Sequence, residues 1–136
     1  MKMNEVVEIC EGNVVVRNRK IYKTKGDTSL IYIPEKAIKV FTKERKRIEV
    51  RTTLIINTGQ LRTFTYNYTA KLLPQHKRDG KYIYKYYFLQ IPAKLTQTIE
   101  SDLTFFGLEI EDLTADVQLM RGEKGMEALI LLKPNK

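Results

Sequence analysis

The chain has almost none of the residues that build covalent or metal-bound scaffolds. Its 136 residues include one cysteine, one histidine and no tryptophan. A single cysteine, Cys10, excludes a disulfide framework and a cysteine-based metal site within one chain. Cys10 and His76 lie far apart in sequence, and no glycine-rich phosphate-binding motif is present, so catalysis finds little support. We therefore expect a protein that is not an enzyme and has no catalytic residues, no metal site and no cofactor.

Long apolar runs are lacking as well. No segment approaches the ~20 residues that a transmembrane helix needs, and the first residues contain no apolar signal-peptide core. We expect a cytoplasmic protein that makes no membrane contact. The hydrophobic content of 43% is enough to build a core, so wholesale disorder is not expected.

Two segments of the chain repeat one pattern. An apolar run followed by Ile-Pro occurs at residues 30–36 and again at residues 88–94, and each copy follows a basic turn that contains glycine. An internal repeat of this kind indicates that one structural unit occurs twice in the fold. We predict two half-domains, residues 1–73 and 74–136, that are each too small to close a core alone and that pack as one compact unit.

Residues that favour strands, namely Thr, Ile, Val and Tyr, occur throughout the chain. Alternation and turn signals predict several strands and two short helices, each beginning at the proline of an Ile-Pro segment. The predicted strands span residues 6–9, 14–22, 30–33, 48–57, 61–73, 81–91, 115–120 and 126–132. The predicted helices span residues 34–41 and 92–105. A basic turn that contains the histidine is predicted at residues 74–80.

The predicted core draws mainly on the second Ile-Pro segment, the helix after it and the last two strands. Its residues are Phe88, Leu89, Ile91, Leu95, Ile99, Leu103, Leu119, Leu129 and Leu131. Aromatic residues also alternate along two predicted strands, and a turn centred near Lys77 would place Tyr68 opposite Tyr86 and Tyr66 opposite Phe88. Such rings either pack in the core or stack on single-stranded bases.

Charge is distributed unevenly along the chain. Residues 13–94 contain 19 Lys and Arg but 5 Asp and Glu, whereas residues 95–136 contain 4 and 8. This asymmetry is typical of a nucleic-acid binder with a separate face for packing or for a partner. A lysine-rich solvated surface is the alternative interpretation. A further basic cluster at residues 43–47 either contacts phosphates or keeps a loop soluble.

The second half of the chain resembles a known family. The strand, Ile-Pro and helix start at residues 87–95 are followed by Gly107-Leu108-Glu109-Ile110, an acidic turn, a strand at 115–120 and the Ile-Leu-Leu-Lys-Pro of residues 130–134. This order resembles the AbrB/MazE/SpoVT family of swapped-hairpin transcription regulators, with the first half as a divergent copy. The resemblance implies a mostly β fold with short helices (β-rich α+β), a pseudo-symmetric swapped-hairpin barrel built from two AbrB-like halves.

For function, the resemblance implies double-stranded DNA binding through basic residues of the first strand and of the turns before the Ile-Pro strands. The matching positions are Arg17, Arg19, Lys20, Lys23 and Lys25 in the first copy and His76, Lys77, Arg78, Lys81 and Lys85 in the second. We expect the two sets to form one continuous positive face. The predicted function is a sequence-specific or architectural DNA-binding protein that acts as a transcription regulator.

Two other interpretations stay open. A single-stranded DNA or RNA binder would use the aromatic hairpin as a stacking platform. A protein interaction module would use the acidic C-terminal face to dock a basic partner. The expected partner is nucleic acid, with duplex DNA favoured, and a homodimer is left open.

Overall fold

The computed structural model describes residues 7–59 and 62–135, and its strands close into a barrel. Within these residues the strands are β1 (Val7–Cys10), β2 (Asn13–Lys23), β3 (Ser29–Pro34), β4 (Ile48–Asn57), β5 (Thr63–Asp79), β6 (Tyr82–Ile91), β7 (Leu113–Gly122) and β8 (Gly125–Pro134). Their order in the sheet is β1-β2-β3-β6-β5-β4-β8-β7, and β7 pairs back onto β2. Strands β2 to β8 therefore form a closed seven-stranded barrel, and the prediction of a β-rich barrel with few short helices is confirmed.

Both helices begin immediately after an Ile-Pro pair. Helix α1 spans Glu35–Ile38 and helix α2 spans Ala93–Thr104, and an extended proline precedes each helix. A short 3-10 turn, Ile110–Asp112, then leads into β7. None of the helices in the described part of the chain has the length and apolar character needed to cross a membrane.

The core is made by inward-facing residues that alternate along each strand. Five of the nine predicted core residues are fully buried: Leu89, Ile91, Ile99, Leu103 and Leu119. The other four, Phe88, Leu95, Leu129 and Leu131, are only half-buried. The core prediction is therefore right for two residues of α2, for the end of β6 and for Leu119 of β7, but wrong for the face of β8.

Strand β8 turns its other face inward. Ala128, Ile130 and Leu132 are buried, while Leu129 and Leu131 lie on the outer surface of the barrel. Because all five positions are apolar, alternation in the sequence cannot distinguish the inner face from the outer one.

Strand β5 is longer than predicted, because residues 74–79 continue the strand instead of forming a turn. The turn lies at Gly80, whose φ of 61° suits glycine. Pro74 is tolerated because the pairing of β5 with β4 ends at Leu72, so a missing N–H on that side breaks no sheet hydrogen bond.

The longer strand changes the aromatic pairs. Tyr68 lies opposite Thr52 of β4, whereas Tyr86 lies opposite Gln75. The predicted pairing of Tyr68 with Tyr86, and with it that of Tyr66 with Phe88, is therefore wrong. The aromatic residues of β5 and β6 belong to two separate groups.

The predicted boundary at residue 73 falls inside β5, which runs through it without interruption. The two Ile-Pro strands, β3 and β6, lie side by side and antiparallel, with Ile31 opposite Leu89. The division into two halves stays a prediction.

A bulge in β2 changes which side chains face the core. The register with β7 shifts between Val16 and Arg19, and Asn18 has a φ of 57°. The Asn18 N–H donates to the Asp116 carboxylate at 2.9 Å. As a result, Arg19 follows Val16 on the inner face and is only 6% exposed.

We expect the two neighbouring positions of β8 to differ in their effect on stability. Ile130→Ala should cost about 2–5 kcal/mol of unfolding free energy, because it empties a fully buried site. Leu131→Ala is the matched control on the outer face and should cost less than half as much. Urea denaturation of both variants measures the difference, and equal losses would contradict the assigned face.

We expect Asp116→Ala to destabilise the bulge. Burial acts to raise the pKa of Asp116, but the Asn18 N–H and the Lys133 ammonium at 3.2 Å together lower it. A carboxylate with a lowered pKa stabilises the fold above its ordinary pKa and loses that effect as the pH falls through the folded value. The variant should lose about 1–2 kcal/mol at pH 7.

The difference in unfolding free energy between wild type and Asp116→Ala should shrink below about pH 4, where aspartate ordinarily protonates. Denaturation at several pH values measures it. Gln118→Ala, two residues along the same strand face, is the control. A loss that does not change with pH would show that the carboxylate charge has no part in holding the bulge.

Candidate nucleic-acid interface

The topology places most basic loops at one end of the barrel and most acidic ones at the other. The turn at residues 11–12, the α1 loop at 35–47, the β5–β6 connection at 75–85 and the turn at 121–124 lie at one end. These segments together contain twelve Lys and Arg and five Asp and Glu. We call this end the basic end.

The opposite end carries the reverse balance. The β2–β3 turn at residues 24–28, residues 58–59 and 62 between β4 and β5, and the α2 segment at 92–112 contain three Lys and Arg and six Asp and Glu. We call this end the acidic end. The charge asymmetry of the sequence thus becomes a separation in space.

The expectation of one continuous positive face is wrong. Ser29, which follows the first basic turn, lies opposite Ile91 at the end of β6, whereas the second basic turn precedes Tyr82 at its start. Nine residues of strand separate these positions, about 30 Å at 3.3 Å per residue. Because β3 and β6 run antiparallel, equivalent turns of the two Ile-Pro segments emerge at opposite ends of the barrel.

A two-stranded ribbon projects from the basic end. Strand β4 stops pairing with β5 at Leu72, and β3 stops pairing with β6 at Tyr86. Beyond these points residues 75–79 pair only with residues 82–86 in the described chain. We call residues 75–86 the ribbon arm; its first strand extends roughly 17 Å.

Five of the predicted positions lie on this arm, namely His76 and four cations. Lys77, Arg78, Lys81 and Lys85 are all exposed. The ion pairs found among the described residues involve none of these four. Their charges are therefore directed to solvent, where a polyanion can reach them without breaking an internal contact.

Arg45 holds the root of the arm. Its guanidinium donates to the backbone carbonyl of Gln75 and lies 5.6 Å from the centre of the Tyr87 ring. The same group is 3.4 Å from a carboxylate oxygen of Glu35 on α1. One residue of the basic loop thus connects α1, the loop and the arm, a role that its charge in the sequence did not reveal.

Stacked rings support the arm on its outer side. Tyr86 stacks on Tyr32 of β3 with ring centres 4.7 Å apart, and it meets Phe88 edge to face at 5.2 Å. Tyr32 was not singled out from the sequence. Tyr32 belongs to the first Ile-Pro segment. If the antiparallel pairing of the two segments had been known, this position would have placed Tyr32 beside Tyr86 and Phe88.

The first-copy residues are largely engaged in internal contacts. Arg17 lies 3.2 Å from Glu8, and this hydrogen bond and charge raise the pKa of Arg17. Lys23 lies 2.6 Å from Glu100 at the acidic end, and that hydrogen bond raises the pKa of Lys23. Neither cation is free for a phosphate without losing its carboxylate.

The remaining first-copy residues are divided between core and surface. Arg19 faces the interior, where its Nε donates to the carbonyl of Arg17. Lys20 is exposed with its ammonium 5.3 Å from the Tyr22 ring, and Lys25 is exposed in the turn at the acidic end. The ten predicted positions thus do not meet in one site, and only the five on the arm, His76 among them, lie together.

The second basic cluster lies at the same end as the arm. Within it Lys46 is 2.9 Å from Glu44, while Lys43 and Arg47 are exposed. This loop adds positive charge beside the arm root that Arg45 holds. It extends the candidate interface from the arm onto the barrel.

Comparison of the chain with protein-family models, with curated proteins and with solved structures finds no match. The AbrB-like resemblance therefore stays a prediction, as do the nucleic-acid role of the ten positions and the absence of enzymatic activity.

We expect Arg45→Ala to loosen the arm. The variant loses a charge-assisted hydrogen bond to Gln75, a kind of bond that contributes about 1.5–3 kcal/mol. Amide hydrogen exchange at residues 75–86 should become about 10-fold faster or more, since 1.4 kcal/mol corresponds to a factor of ten. Arg47→Ala removes the same charge from an exposed position of the same loop and should leave the exchange unchanged. Equal rates in the two variants would contradict the role given to Arg45.

Proposed function

We propose that the protein binds duplex DNA with its ribbon arm, as a transcription regulator or an architectural protein. The observation that supports this most directly is the arm itself, a projecting two-stranded ribbon with four exposed cations and no ion-pair partner for them among the described residues. A two-stranded β-ribbon is one of the two elements that the major groove, about 12 Å wide, can accept.

The charges of the arm suit phosphate contact. Lysine and arginine contacts to phosphates provide affinity and position the protein, whereas arginine also reads guanine through two hydrogen bonds. Arg78 is the arm residue with that capacity, and Lys77, Lys81 and Lys85 would contact the backbone. The exposed cations of the 43–47 loop would add contacts where the DNA passes the barrel.

The acidic end limits where DNA binds. Its carboxylates repel phosphate, so the field of the whole barrel favours approach with the basic end first. This polarity supports a single binding mode at the arm, without a second mode at the β2–β3 turn.

A second candidate function is favoured by a specific observation on the same arm. Tyr82 is 71% exposed and Tyr84 is 51% exposed, although large aromatic side chains are ordinarily buried. Exposed rings stack on unpaired bases without regard to sequence. Binding of single-stranded DNA or RNA by the arm is therefore the alternative.

Charge reversal on the arm should weaken duplex binding strongly. The double variant Arg78→Glu with Lys85→Glu removes two of four arm cations, and each phosphate contact contributes about 0.9 to the slope of log affinity against log salt. We expect affinity to fall about 10- to 100-fold in 0.1 M salt and the slope to decrease by about 2. Fluorescence anisotropy with a labelled duplex across a salt series measures both.

The matched control is Lys25→Glu with Lys94→Glu, which reverses the same number of exposed charges at the acidic end. It should bind within about twofold of wild type at high salt, where long-range effects are screened. Equal losses in both double variants would contradict binding at the arm. If the wild type binds no nucleic acid at low salt, the protein interaction module that docks a basic partner at the acidic end becomes the better interpretation.

A further inference from the structure

The two faces of the ribbon arm differ in chemistry. Because side chains alternate along a strand and pair across the ribbon, Tyr82, Tyr84 and Tyr86 share one face with Lys77 and Asp79, whose opposite charges offset each other. Arg78, Ile83 and Lys85 share the other face with His76. One face is therefore aromatic and the other is cationic.

The aromatic face continues from the tip of the arm to the barrel wall. Tyr82 is next to the Gly80–Lys81 turn, and the Cα atoms of successive tyrosines on this face of β6 are about 6.6 Å apart. Tyr86 and Tyr32 are stacked on each other, so the inner end of this row is held in place. The outer end, at Tyr82 and Tyr84, is open to solvent.

The cationic face is the one that lies toward the basic loop. Tyr87 faces the same side as Lys85 and is buried, and the Arg45 guanidinium lies over its ring. Arg78 and Lys85 therefore extend outward from the side of the arm where the loop of residues 43–47 begins. Phosphates on this face would meet cations from two segments.

A ligand that uses both faces explains the arm better than either candidate function alone. A duplex held by Arg78 and Lys85 on the cationic face leaves two large rings in water on the other, and exposed apolar groups that cluster ordinarily mark a contact. A single strand stacked on the tyrosines leaves Arg78 and Lys85 without phosphates. Both faces are occupied when duplex lies against one and unpaired bases lie against the other.

We propose that the arm recognises a junction at which duplex DNA opens into a single strand. This inference rests on the proposed function, since it requires that the arm bind nucleic acid. The cationic face holds the phosphates of the duplex, and Tyr82 and Tyr84 stack on the first unpaired bases of one strand. The ring of Tyr82 sits closest to the turn and meets the last base pair.

The test compares three fluorescently labelled DNA oligonucleotides of matched sequence: a duplex, a single strand and a fork with unpaired arms. Base stacking on an aromatic side chain strengthens binding by roughly 5- to 100-fold per base. Wild type should therefore bind the fork about 10-fold or more tightly than the duplex or the single strand.

The double variant Tyr82→Ala with Tyr84→Ala should lose that preference, so that its affinity for the fork falls to about its affinity for the duplex. Tyr22→Ala removes an exposed tyrosine from the barrel wall (47% exposed) and is the matched control. It should keep the preference. Thermal melting of each variant checks that the barrel is folded, which is expected because both arm rings lie outside the core.

Three results would overturn the junction inference. Wild type that binds the duplex but prefers no fork contradicts it and leaves duplex binding standing. A fork preference that survives the tyrosine substitutions assigns the junction contact elsewhere. Wild type that binds none of the three oligonucleotides at low salt overturns the proposed function and the junction inference together.

Discussion

The pairing of β3 with β6 determines where every other part of this protein lies. Ile31 and Leu89 occupy equivalent positions in the two Ile-Pro segments, and they face each other at the centre of an antiparallel pair. The two strands therefore deliver their Ile-Pro ends to opposite ends of the barrel. Helix α1 follows Pro34 at one end, and helix α2 follows Pro92 at the other. The net charge of each end is set by the loops and helix located there.

Separation of charge follows from that arrangement. The α1 loop and the β5–β6 connection are basic, and both lie at the end to which Pro34 leads. The α2 segment is acidic and lies at the other end, where Glu100 also neutralises Lys23. A barrel with opposite charge at its ends orients itself in the field of a polyanion before contact. The ribbon arm projects from the basic end, which in the proposed function would approach DNA first.

Much of this architecture was predictable from the sequence, because strand-forming residues, turn glycines and the Ile-Pro pairs agree with one another. These signals predicted the short helices and their starting points correctly, and the AbrB-like resemblance implied the barrel. Details that depend on neighbouring strands were not. Pro74 suggests a turn when read alone, but it fits within β5 because β4 has already ended beside it. In the same way, the apolar residues 128–132 do not indicate which face points inward until β7 and β4 flank them.

The candidate site could also be predicted only in part. Its basic residues were visible in the sequence, but their grouping was not, because it depends on the direction of β3 relative to β6. Arg19 is a local example of a placement that depends on a contact distant in sequence. An extra residue in the bulge near Asn18 moves Arg19 from the outer face to the inner one. The hydrogen bond that holds the bulge is donated by the Asn18 N–H to the carboxylate of Asp116, nearly a hundred residues away. The residues around Arg19 do not indicate that contact, so the bulge could not be predicted from them.

The most direct test of the central claim, that nucleic acid meets the basic end through the arm, is an NMR titration of the isotope-labelled protein with a short DNA duplex. Backbone amide shifts should change at residues 76–85 and 43–47 and stay constant at residues 24–28 and 109–112. Changes confined to the β2–β3 turn, or spread evenly over both ends of the barrel, would contradict the claim.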